Sequence, residues 1–460
     1  MADFSFMGLA ALSEGLARKA FSASELLEDV IARQAVLEPQ LNMFSHWDVT
    51  AARKSAAASD QRIMRGERIG MLDGIPTAIK DLIAVKDMPQ RFGSRAVADT
   101  PVAADAPSVA RLRAAGAVIL GKSTTSEFGC KAVGDSPLTG ITRNPWNIAK
   151  TPGGSSAGAA AMVAAGLVPY AIGTDGGGSV RIPAALCGLF GIKAQFGRVP
   201  VFPTSATPTL AHVGPLARNS ADAAQVLAVM AGFDRRDPAS VAGALPALGD
   251  SGRRLRIAWS PTLGFARVDP EVAAITQRAA ATIATLNADV DLVTDVMDDP
   301  VDLWTAEFYA GVGTRLRQTV QDTPALLDAG VLAVLRDALA QDMQGYYEKV
   351  FARYAFREKM RAFFDHYDLL ITPTLPVAAF DVGLDVPPGY EDRNIVSWVS
   401  FTYPFNLTGQ PAASLPVGLT QAGLPVGLQI VAPSHAEGAI FDLAARYEAA
   451  QEGADPRPAI

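Results

Sequence analysis

Residues 153–183 read GGSSAGAAAMVAAGLVPYAIGTDGGGSVRIP, and this stretch carries the strongest structural signal in the chain. The small residues of 157–166 predict a closely packed helix, and residues 168–173 predict a buried strand. Three glycines then precede Ser179, so the backbone can bend with successive N–H groups facing inward. Such a nest binds an anion, including the oxyanion that forms when a serine attacks a carbonyl. The alternative is an ordinary glycine turn with a capping serine.

A second signal lies upstream, at Lys80. Residues 75–83 (IPTAIKDLI) form a short, apolar, strand-like segment around this lysine. A lysine in such a segment ordinarily extends its ammonium group to water. If the side chain is buried instead, desolvation lowers its pKa and leaves a neutral amine that can act as a base. Ser155, at the start of the predicted helix, is then suited to relay a proton from Ser179 to Lys80.

Two motif matches point to other functions. Residues 116–123 (GAVILGKS) fit the phosphate-loop pattern, but the four apolar residues between the glycines predict a strand, not a turn. Residues 154–158 (GSSAG) fit the nucleophile elbow of α/β-hydrolases, in which Ser156 would be the nucleophile of an esterase. An elbow needs a strand directly before it, whereas residues 143–153 predict a loop. The esterase is therefore the weaker alternative.

Taken together, these segments resemble the amidase signature family. The resemblance extends from residues 153–184 to the upstream Gly-Ile-Pro and Lys-Asp pairs at 74–76 and 80–81. It continues at NPWN (144–147), at FTYPFN (401–406), at GQPA (409–412) and at GLPVGLQ (423–429). It covers nearly the whole chain and is weakest over residues 235–395.

The resemblance implies a Ser–Ser–Lys triad. Ser179 matches the family's nucleophile, Ser155 matches the bridging serine, and Lys80 matches the base that starts the proton relay. The family also holds the bridging serine with a cis peptide bond to the preceding glycine. The implied reaction is a two-step transfer of an acyl group to water, without a metal or an organic cofactor.

The resemblance also assigns supporting roles around this triad. The residues whose backbone N–H groups match the family's oxyanion hole are Gly176, Gly177, Gly178 and Ser179. The residues that match polar supporting positions are Asp175, Arg181 and Ser156. None of these three is expected to perform chemistry itself.

Strand and helix patterns alternate along the chain, which indicates an α/β fold. No Pro/Gly/Ser-rich linker separates domains, so we expect a single amidase domain over residues 1–460. The resemblance implies a central mixed β-sheet covered by helices on both sides. Within the domain we predict a helical region (1–66), a catalytic core (67–220), a variable substrate-pocket region (235–395) and a C-terminal return to the core (396–460).

Composition limits the partners of the protein. The chain has 40 Lys plus Arg against 47 Asp plus Glu, and the net charge of -7 gives no support for nucleic-acid binding. Two cysteines and four widely separated histidines do not suggest a metal centre.

The uncharged stretch 151–174 contains two prolines and several glycines, so we expect a buried segment and no membrane span. The N-terminus does not resemble a secretory signal, and we expect a cytoplasmic protein. The sequence is compatible with both a monomer and a homodimer.

The family includes the amide-hydrolysing component of glutamyl-tRNA amidotransferase, which carries a Ser-Ser-Leu-Asp-Gln-like stretch after a Gly-Arg-Val turn. Here Pro200 follows that turn, and residues 208–215 read PTLAHVGP. We therefore expect a stand-alone amidase that cleaves aryl amides, anilides or carbamates (urethanes), with esters as side substrates. The alternatives are the amidotransferase component and a catalytically inactive binding protein. The intact triad argues against the inactive protein.

Substrate specificity is expected mainly from the weakly matching region. The candidates for an apolar pocket there are Trp304, Phe308, Tyr309 and Trp398, with Cys130 near the expected cleft. Ordinary helix packing is the alternative for each aromatic residue. Cys130 lacks a visible acid–base partner, so a nucleophilic role is disfavoured. His212 lies in the loop after Pro200, where it either faces the pocket or is structural, and we expect the structural role.

Overall fold

Strands and helices alternate along the chain in the computed structural model, which describes residues 4–243, 245, 252–451 and 456–460. The strands are β1 (Phe44–Trp47), β2 (Pro76–Lys80), β3 (Val118–Ser123), β4 (Asp135–Ser136), β5 (Gly140–Ile141), β6 (Tyr170–Asp175), β7 (Phe190–Lys193), β8 (His212–Ala217), β9 (Leu255–Trp259), β10 (Ala288–Leu292), β11 (Leu369–Pro373), β12 (Ala412–Leu419) and β13 (Pro425–Val431). The helices are α1 (Leu9–Ala17), α2 (Ala23–Leu41), α3 (Val49–Arg65), α4 (Pro107–Ala114), α5 (Ala157–Ala164), α6 (Arg181–Cys187), α7 (Ser220–Met230), α8 (Pro270–Ile283), α9 (Val301–Asp322), α10 (Ala329–Leu339), α11 (Met343–Phe363), α12 (Pro404–Thr408) and α13 (Glu437–Ala450).

Eleven of these strands form one sheet, in the order β1-β3-β2-β6-β8-β7-β12-β13-β11-β9-β10. The sheet is mixed, because β2 pairs in parallel with both β3 and β6 while β6 and β8 are antiparallel. Strands β9 and β10 are parallel and joined by α8, as the βαβ-like pattern of that region predicts. The α/β class and the single domain with a large central sheet flanked by helices are therefore confirmed.

The order of the strands positions two chemically important ends. Strands β2 and β6 are parallel neighbours, so their carboxyl ends lie at the same edge of the sheet. Lys80 is the last residue of β2, and Asp175 is the last residue of β6. Residues that follow the carboxyl ends of parallel strands are well placed to form a site.

Helix α5 packs against this part of the sheet, and all eight of its residues are buried. Its sequence, AGAAAMVA, has almost no large side chains, which lets the helix backbone approach its neighbours closely. At Gly158 an added Cβ would overlap the carbonyl oxygen of Met43. The close packing of this helix therefore requires its small residues. Among the described helices, none is long and apolar enough to cross a bilayer.

Two sequence expectations need correction. The N-terminal region 1–66 is not wholly helical, because the short strand β1 lies between α2 and α3 and pairs with β3. The strand predicted at 168–173 occupies Tyr170–Asp175 instead. Both errors have one physical origin, since pairing with neighbouring strands, not local pattern, decides where a short strand begins and ends.

Candidate active site

Lys80 is completely buried at the end of β2. Its Nζ lies 2.6 Å from Ser155 Oγ, 3.0 Å from Ser156 Oγ and 2.8 Å from Thr174 Oγ1. Burial lowers the pKa of Lys80 well below its ordinary value of 10.5, and the nearby Asp175 carboxylate opposes this effect only in part. The amine is therefore able to stay neutral and to accept a proton. The structure brings Lys80 and Ser155 together as expected.

The segment before α5 holds both serines in irregular backbone. The peptide bond between Gly154 and Ser155 is cis, as the family resemblance implies. A side chain at Gly154 would overlap the backbone of Val133, so only glycine fits here. Ser156 Oγ lies 3.2 Å from the carbonyl oxygen of Thr174, to which it donates, and 3.3 Å from the Thr174 nitrogen. These bonds join the start of α5 to the end of β6.

The two competing motifs do not form the structures that their functions require. Residues 118–123 lie in β3, so the phosphate-loop match at 116–123 is a strand, as predicted. No strand directly precedes Ser156, and its hydroxyl is engaged with Lys80 and Thr174. The nucleophile-elbow interpretation of Ser156 is therefore wrong.

Three glycines form the turn between β6 and α6, and side chains from distant parts of the chain hold this turn. Trp304 Nε1 donates to the carbonyl oxygen of Gly176 at 2.8 Å, and Thr402 Oγ1 donates to that of Gly177 at 2.7 Å. Gly178 has a φ of 131°, and a Cβ at this position would collide with Thr402. The backbone of the turn is thus fixed on two sides and tolerates only glycine at its end.

The four backbone N–H groups expected in the oxyanion hole are not equivalent. The Gly178 N–H donates to Asp175 Oδ1 at 2.8 Å, so it already has an acceptor. Within the described part of the chain, the N–H groups of Gly176, Gly177 and Ser179 have no protein acceptor. These three remain available to an anion at the turn, and the Ser179 side chain lines the adjacent cavity.

Asp175 and Arg181 form a completely buried ion pair behind the turn. Arg181 also donates to the carbonyl oxygen of Thr402 and to the side-chain oxygens of Asn406 and Gln429. Burial alone would raise the pKa of Asp175, but the Arg181 guanidinium reverses this effect and lowers the pKa below its ordinary value. The carboxylate therefore stays ionised and organises the glycine turn, as expected for a supporting position.

His212 and Lys193 extend this polar layer, and only His212 was singled out from the sequence. His212 Nδ1 lies 2.8 Å from the carbonyl oxygen of Leu210 and 3.2 Å from that of Asp175, which assigns the proton to Nδ1. Its Nε2 faces Lys193 Nζ at 3.4 Å. Burial and then the Lys193 charge lower the pKa of His212 well below its ordinary value. His212 is therefore a neutral, structural histidine that also lines the cavity.

A cavity of about 360 Å³ opens beside the serines. Its wall is mostly apolar and comes chiefly from residues 82–108, residues 128–129, the loop 200–207 and one face of α9. The residues that contribute apolar side chains include Leu82, Ile83, Phe92, Val97, Phe128, Val201, Phe202, Phe308, Val312 and Leu316. Ser155 and Ser179 both line this cavity, whose shape suits an apolar small molecule.

The predicted pocket residues divide into three groups. Phe308 lines the cavity, whereas Trp304 lies against the glycine turn and a minor recess beside it. Cys130, Tyr309 and Trp398 are packed in the core behind the wall. Tyr309 donates its hydroxyl to the Cys130 carbonyl at 3.1 Å, and burial raises the pKa of the Cys130 thiol. The thiol therefore stays protonated and is not a candidate nucleophile.

The signal that sequence analysis missed lies in the loop after Pro200. Residues 200–207 supply a large part of the wall, although they precede the region 235–395 in which specificity was expected. Aromatic content drew attention to α9 and Trp398, but burial depends on tertiary contacts that a local pattern does not contain.

Within the described ranges, no group of three or more His, Cys, Asp or Glu side chains could hold a metal ion.

A mixed sheet with a buried lysine, two serines and a glycine turn at one edge defines a class of amide hydrolases. The match to the amidase family model over residues 25–441 shows that the chain belongs to that family. The chain is 35% identical to an acylamidase of Rhodococcus erythropolis, over 97% of this chain and 96% of that protein. It is 37% identical to a putative amidase of Mycobacterium tuberculosis, over 97% of this chain and 93% of that protein.

Solved structures agree with this assignment. A bacterial aryl acylamidase of the amidase signature family superimposes with a TM-score of 0.91 at 31% identity, over 98% of this chain and 97% of that one. A glutamyl-tRNA(Gln) amidotransferase component of Thermotoga maritima superimposes with a TM-score of 0.84 at 27% identity, over 100% of this chain and 98% of that one. The chain is thus similar over its whole length both to an acylamidase and to an amidotransferase.

Proposed function

We propose that the protein hydrolyses the carbon–nitrogen bond of small apolar amides, with aryl amides and anilides preferred, through an acyl-enzyme on Ser179. One observation carries this proposal: the buried amine of Lys80 lies 2.6 Å from Ser155 Oγ, and Ser155 shares a cavity with Ser179. Lys193 is also completely buried, but its Nζ donates to the carbonyl oxygen of Gln410. The amine of Lys80 instead faces three hydroxyl groups. It suits the first step of a proton relay.

The proposed first half-reaction forms the ester on Ser179. Lys80 takes the proton of Ser155, Ser155 takes the proton of Ser179, and Ser179 Oγ bonds to the carbonyl carbon. The electron pair of the C=O double bond moves to oxygen, which faces the free N–H groups of the glycine turn. When the carbonyl re-forms, the C–N bond breaks, and the proton returns through Ser155 to the leaving nitrogen.

The second half-reaction returns Ser179 to its starting state. Water attacks the acyl carbon while Ser155 takes its proton toward Lys80. The tetrahedral intermediate then collapses and the C–O bond to Ser179 breaks. The proton on Lys80 returns through Ser155 to Ser179 Oγ, and the carboxylic acid leaves. The relay thus moves one proton in and one out during each half-reaction, so Lys80 ends neutral.

The preference for aryl amides rests on the cavity wall. Phenylalanines at 92, 128, 202 and 308 line it, and apolar side chains dominate the rest. Such a wall favours amides with flat apolar groups, because burial of apolar surface is the main source of affinity there. The similarity to an acylamidase and to an aryl acylamidase structure supports the same preference. Carbamates and aryl esters, which present a similar carbonyl to Ser179, are proposed as secondary substrates.

The amidotransferase role is the second candidate, because an amidotransferase component is similar over the whole chain. Glutamine would bring an ammonium and a carboxylate group into the cavity, and each requires a charged partner. Among the lining residues the only carboxylate is Asp175, which is already bonded to Arg181. The ammonium group of glutamine would therefore lack a free carboxylate partner in this cavity, which argues against glutamine.

The test compares the wild-type protein with Ser179→Ala on acetanilide, a primary aryl amide, an aryl carbamate and glutamine. We expect anilide turnover that falls by at least about 10³-fold in the variant. Ser123→Ala is the matched control, because Ser123 is also buried and its hydroxyl has no hydrogen-bond partner in the described structure. Anilide turnover that survives in Ser179→Ala would refute the acyl-enzyme. Ammonia release from glutamine alone would favour the amidotransferase role.

A further inference from the structure

The cavity has one charged side chain at its wall that the proposed chemistry does not use. The ionisable lining residues are Asp175, His212 and Arg315. Asp175 is neutralised by Arg181, and His212 is held neutral by burial and by Lys193. Arg315 therefore gives the cavity its net positive charge.

Arg315 is not balanced by a protein carboxylate. Among the described residues, none of the Asp or Glu side chains lies within salt-bridge distance of its guanidinium. Nη2 of Arg315 donates hydrogen bonds to the carbonyl oxygens of Thr204 and Ser205, at 3.0 and 3.5 Å. Its Nε and Nη1 have no acceptor within that part of the chain. A planar guanidinium with two unused N–H directions is suited to a carboxylate.

The two carbonyl bonds hold Arg315 at the rim of the cavity. They join α9 to the loop 200–207, which forms the adjoining part of the wall. One turn earlier, at Gly311, an added Cβ would overlap the carbonyl oxygen of Ala206, so helix and loop are in direct backbone contact. The Arg315 side chain is exposed at this rim, where the two carbonyl bonds orient its guanidinium.

Helix α9 carries this charge and part of the cavity wall on one face. The residues Phe308, Val312 and Arg315 are spaced i, i+4 and i+7, so they lie on one face of the helix, and all three line the cavity. The Phe308 ring lies against Gly176, where a Cβ would be only 2.8 Å from it. Arg315 is seven residues further on, which places its Cα about 10 Å along the helix axis from the Cα of Phe308.

We propose that Arg315 selects amides that carry a carboxylate remote from the reacting carbonyl, with an apolar chain or ring between the two. The proposal rests on the amide-hydrolase function proposed above and names its preferred substrate class. The carboxylate can belong to the acyl part or to the amine part of the amide. Amides with a cationic group in place of the carboxylate are disfavoured by repulsion from Arg315.

The test uses matched substrates in two series. The first series contains p-nitroanilides of succinic, adipic, suberic and sebacic acid, each paired with the methyl-terminated acyl chain of the same length. The second contains acetanilides with a carboxyalkyl chain on the ring, each paired with its alkyl analogue. We expect the carboxylate to raise kcat/KM by about 10- to 100-fold at the matching length in one series, the range of a charge-assisted hydrogen bond.

Arg315→Gln removes the charge but keeps a donor for the loop carbonyls. We expect it to abolish the advantage of the carboxylate and to leave the neutral partner unchanged, whereas a merely structural role would lower both substrates together. Arg317→Gln is the control, because Arg317 is an exposed arginine on the same helix that does not line the cavity. Added salt should raise KM for the carboxylate substrate in the wild type and not in Arg315→Gln.

Binding to the Ser179→Ala variant separates this inference from the proposed function. Calorimetric titration with the adipic and suberic half-anilides should show affinity at least about 10-fold weaker when Arg315→Gln is added. Equal rates for carboxylate and neutral partners in both series, with anilide turnover intact, would overturn the inference and leave the hydrolase. Absence of all turnover would refute the hydrolase, and the titration would still decide whether Arg315 binds a carboxylate.

Discussion

Lys80 and Ser155 are 75 positions apart in the chain, yet the Lys80 amine and the Ser155 hydroxyl are 2.6 Å apart in a completely buried setting. The parallel pairing of β2 with β6 and the packing of α5 bring them together. The lysine loses its hydration and gains three hydroxyl neighbours. The fold therefore sets the basicity of Lys80, because burial lowers the pKa of its amine.

The first prediction concerns Lys80→Met. Methionine is similar in length and has no proton to exchange, so we expect kcat/KM for an anilide to fall by at least about 10²-fold. The unfolding free energy should change by no more than about 1 kcal/mol, because lost hydrogen bonds are offset by the removal of a desolvated amine. Steady-state kinetics and urea unfolding test the two parts. A variant that loses stability but keeps its activity would contradict the assigned role.

The second prediction is the pH dependence of activity. Because burial lowers the pKa of Lys80, the neutral base is present at lower pH than for a free lysine. The rate should fall as pH drops through this lowered pKa, since the protonated amine cannot accept the Ser155 proton. The measurement is kcat/KM for a neutral anilide over a pH series. A rate that begins to fall only near 10.5, the ordinary lysine value, would refute a buried neutral amine.

The lowered pKa of Lys80 also makes the free energy of unfolding depend on pH. Between the lowered pKa and 10.5, the unfolded chain holds a proton on Lys80 that the folded chain does not. The unfolded state then binds more protons, so the stability contributed by this group rises with pH across that window. Relative to Lys80→Met, the wild-type protein should gain unfolding free energy as pH rises. A pH-independent difference between the two proteins would argue against the shift.

The third prediction concerns Trp304→Phe. The variant removes the hydrogen bond to Gly176 and leaves its half-buried carbonyl without a protein donor, at a cost of about 0.5–1.5 kcal/mol in stability. The loosened turn should lower kcat by about 10-fold. Trp398→Phe is the control, because the buried Trp398 Nε1 has no hydrogen-bond partner in the described structure. Equal effects of the two variants on kcat would show that Trp304 acts only by packing.

The fourth prediction concerns the ion pair behind the turn. Arg181→Met leaves the Asp175 carboxylate buried without its partner, which should destabilise the protein by about 3–5 kcal/mol. Adding Asp175→Asn should recover part of this loss, since the uncompensated charge is gone. Arg254→Met breaks the exposed pair with Asp289 and should leave the free energy of unfolding nearly unchanged. Urea unfolding of all three variants tests the comparison.

Much of the site could be predicted because its residues lie in short, dense segments. Residues 153–183 contain both serines, the glycine turn and the Asp175–Arg181 pair, and their small side chains already indicated close packing. Lys80 was recognisable as a charge inside an apolar strand. The geometry that could not be predicted depends on distant chain: Trp304 and Thr402 hold the turn from other helices and loops.

The cavity wall was predicted less well. Trp398 and Tyr309 are as aromatic as Phe308, but the three residues differ in which surfaces pack against them, and only Phe308 lines the cavity. The loop 200–207 has no periodic pattern, and only the nearby His212 indicated that the chain after Pro200 approaches the pocket. Gly178 was expected to offer its N–H to an anion, and the bond to Asp175 depends on a turn conformation that composition does not specify.

The contacts of Arg181 also bear on how the protein is made. Its acceptor Gln429 lies 248 positions later in the chain, so a ribosome adds Lys80, Ser155 and Ser179 long before this support exists. A growing polypeptide therefore carries the three side chains of the proposed triad without the complete site. Ribosome-bound chains of increasing length should remain inactive until the strand that contains Gln429 has left the exit tunnel. Synthesis itself thus delays the proposed catalysis until β13 has been made.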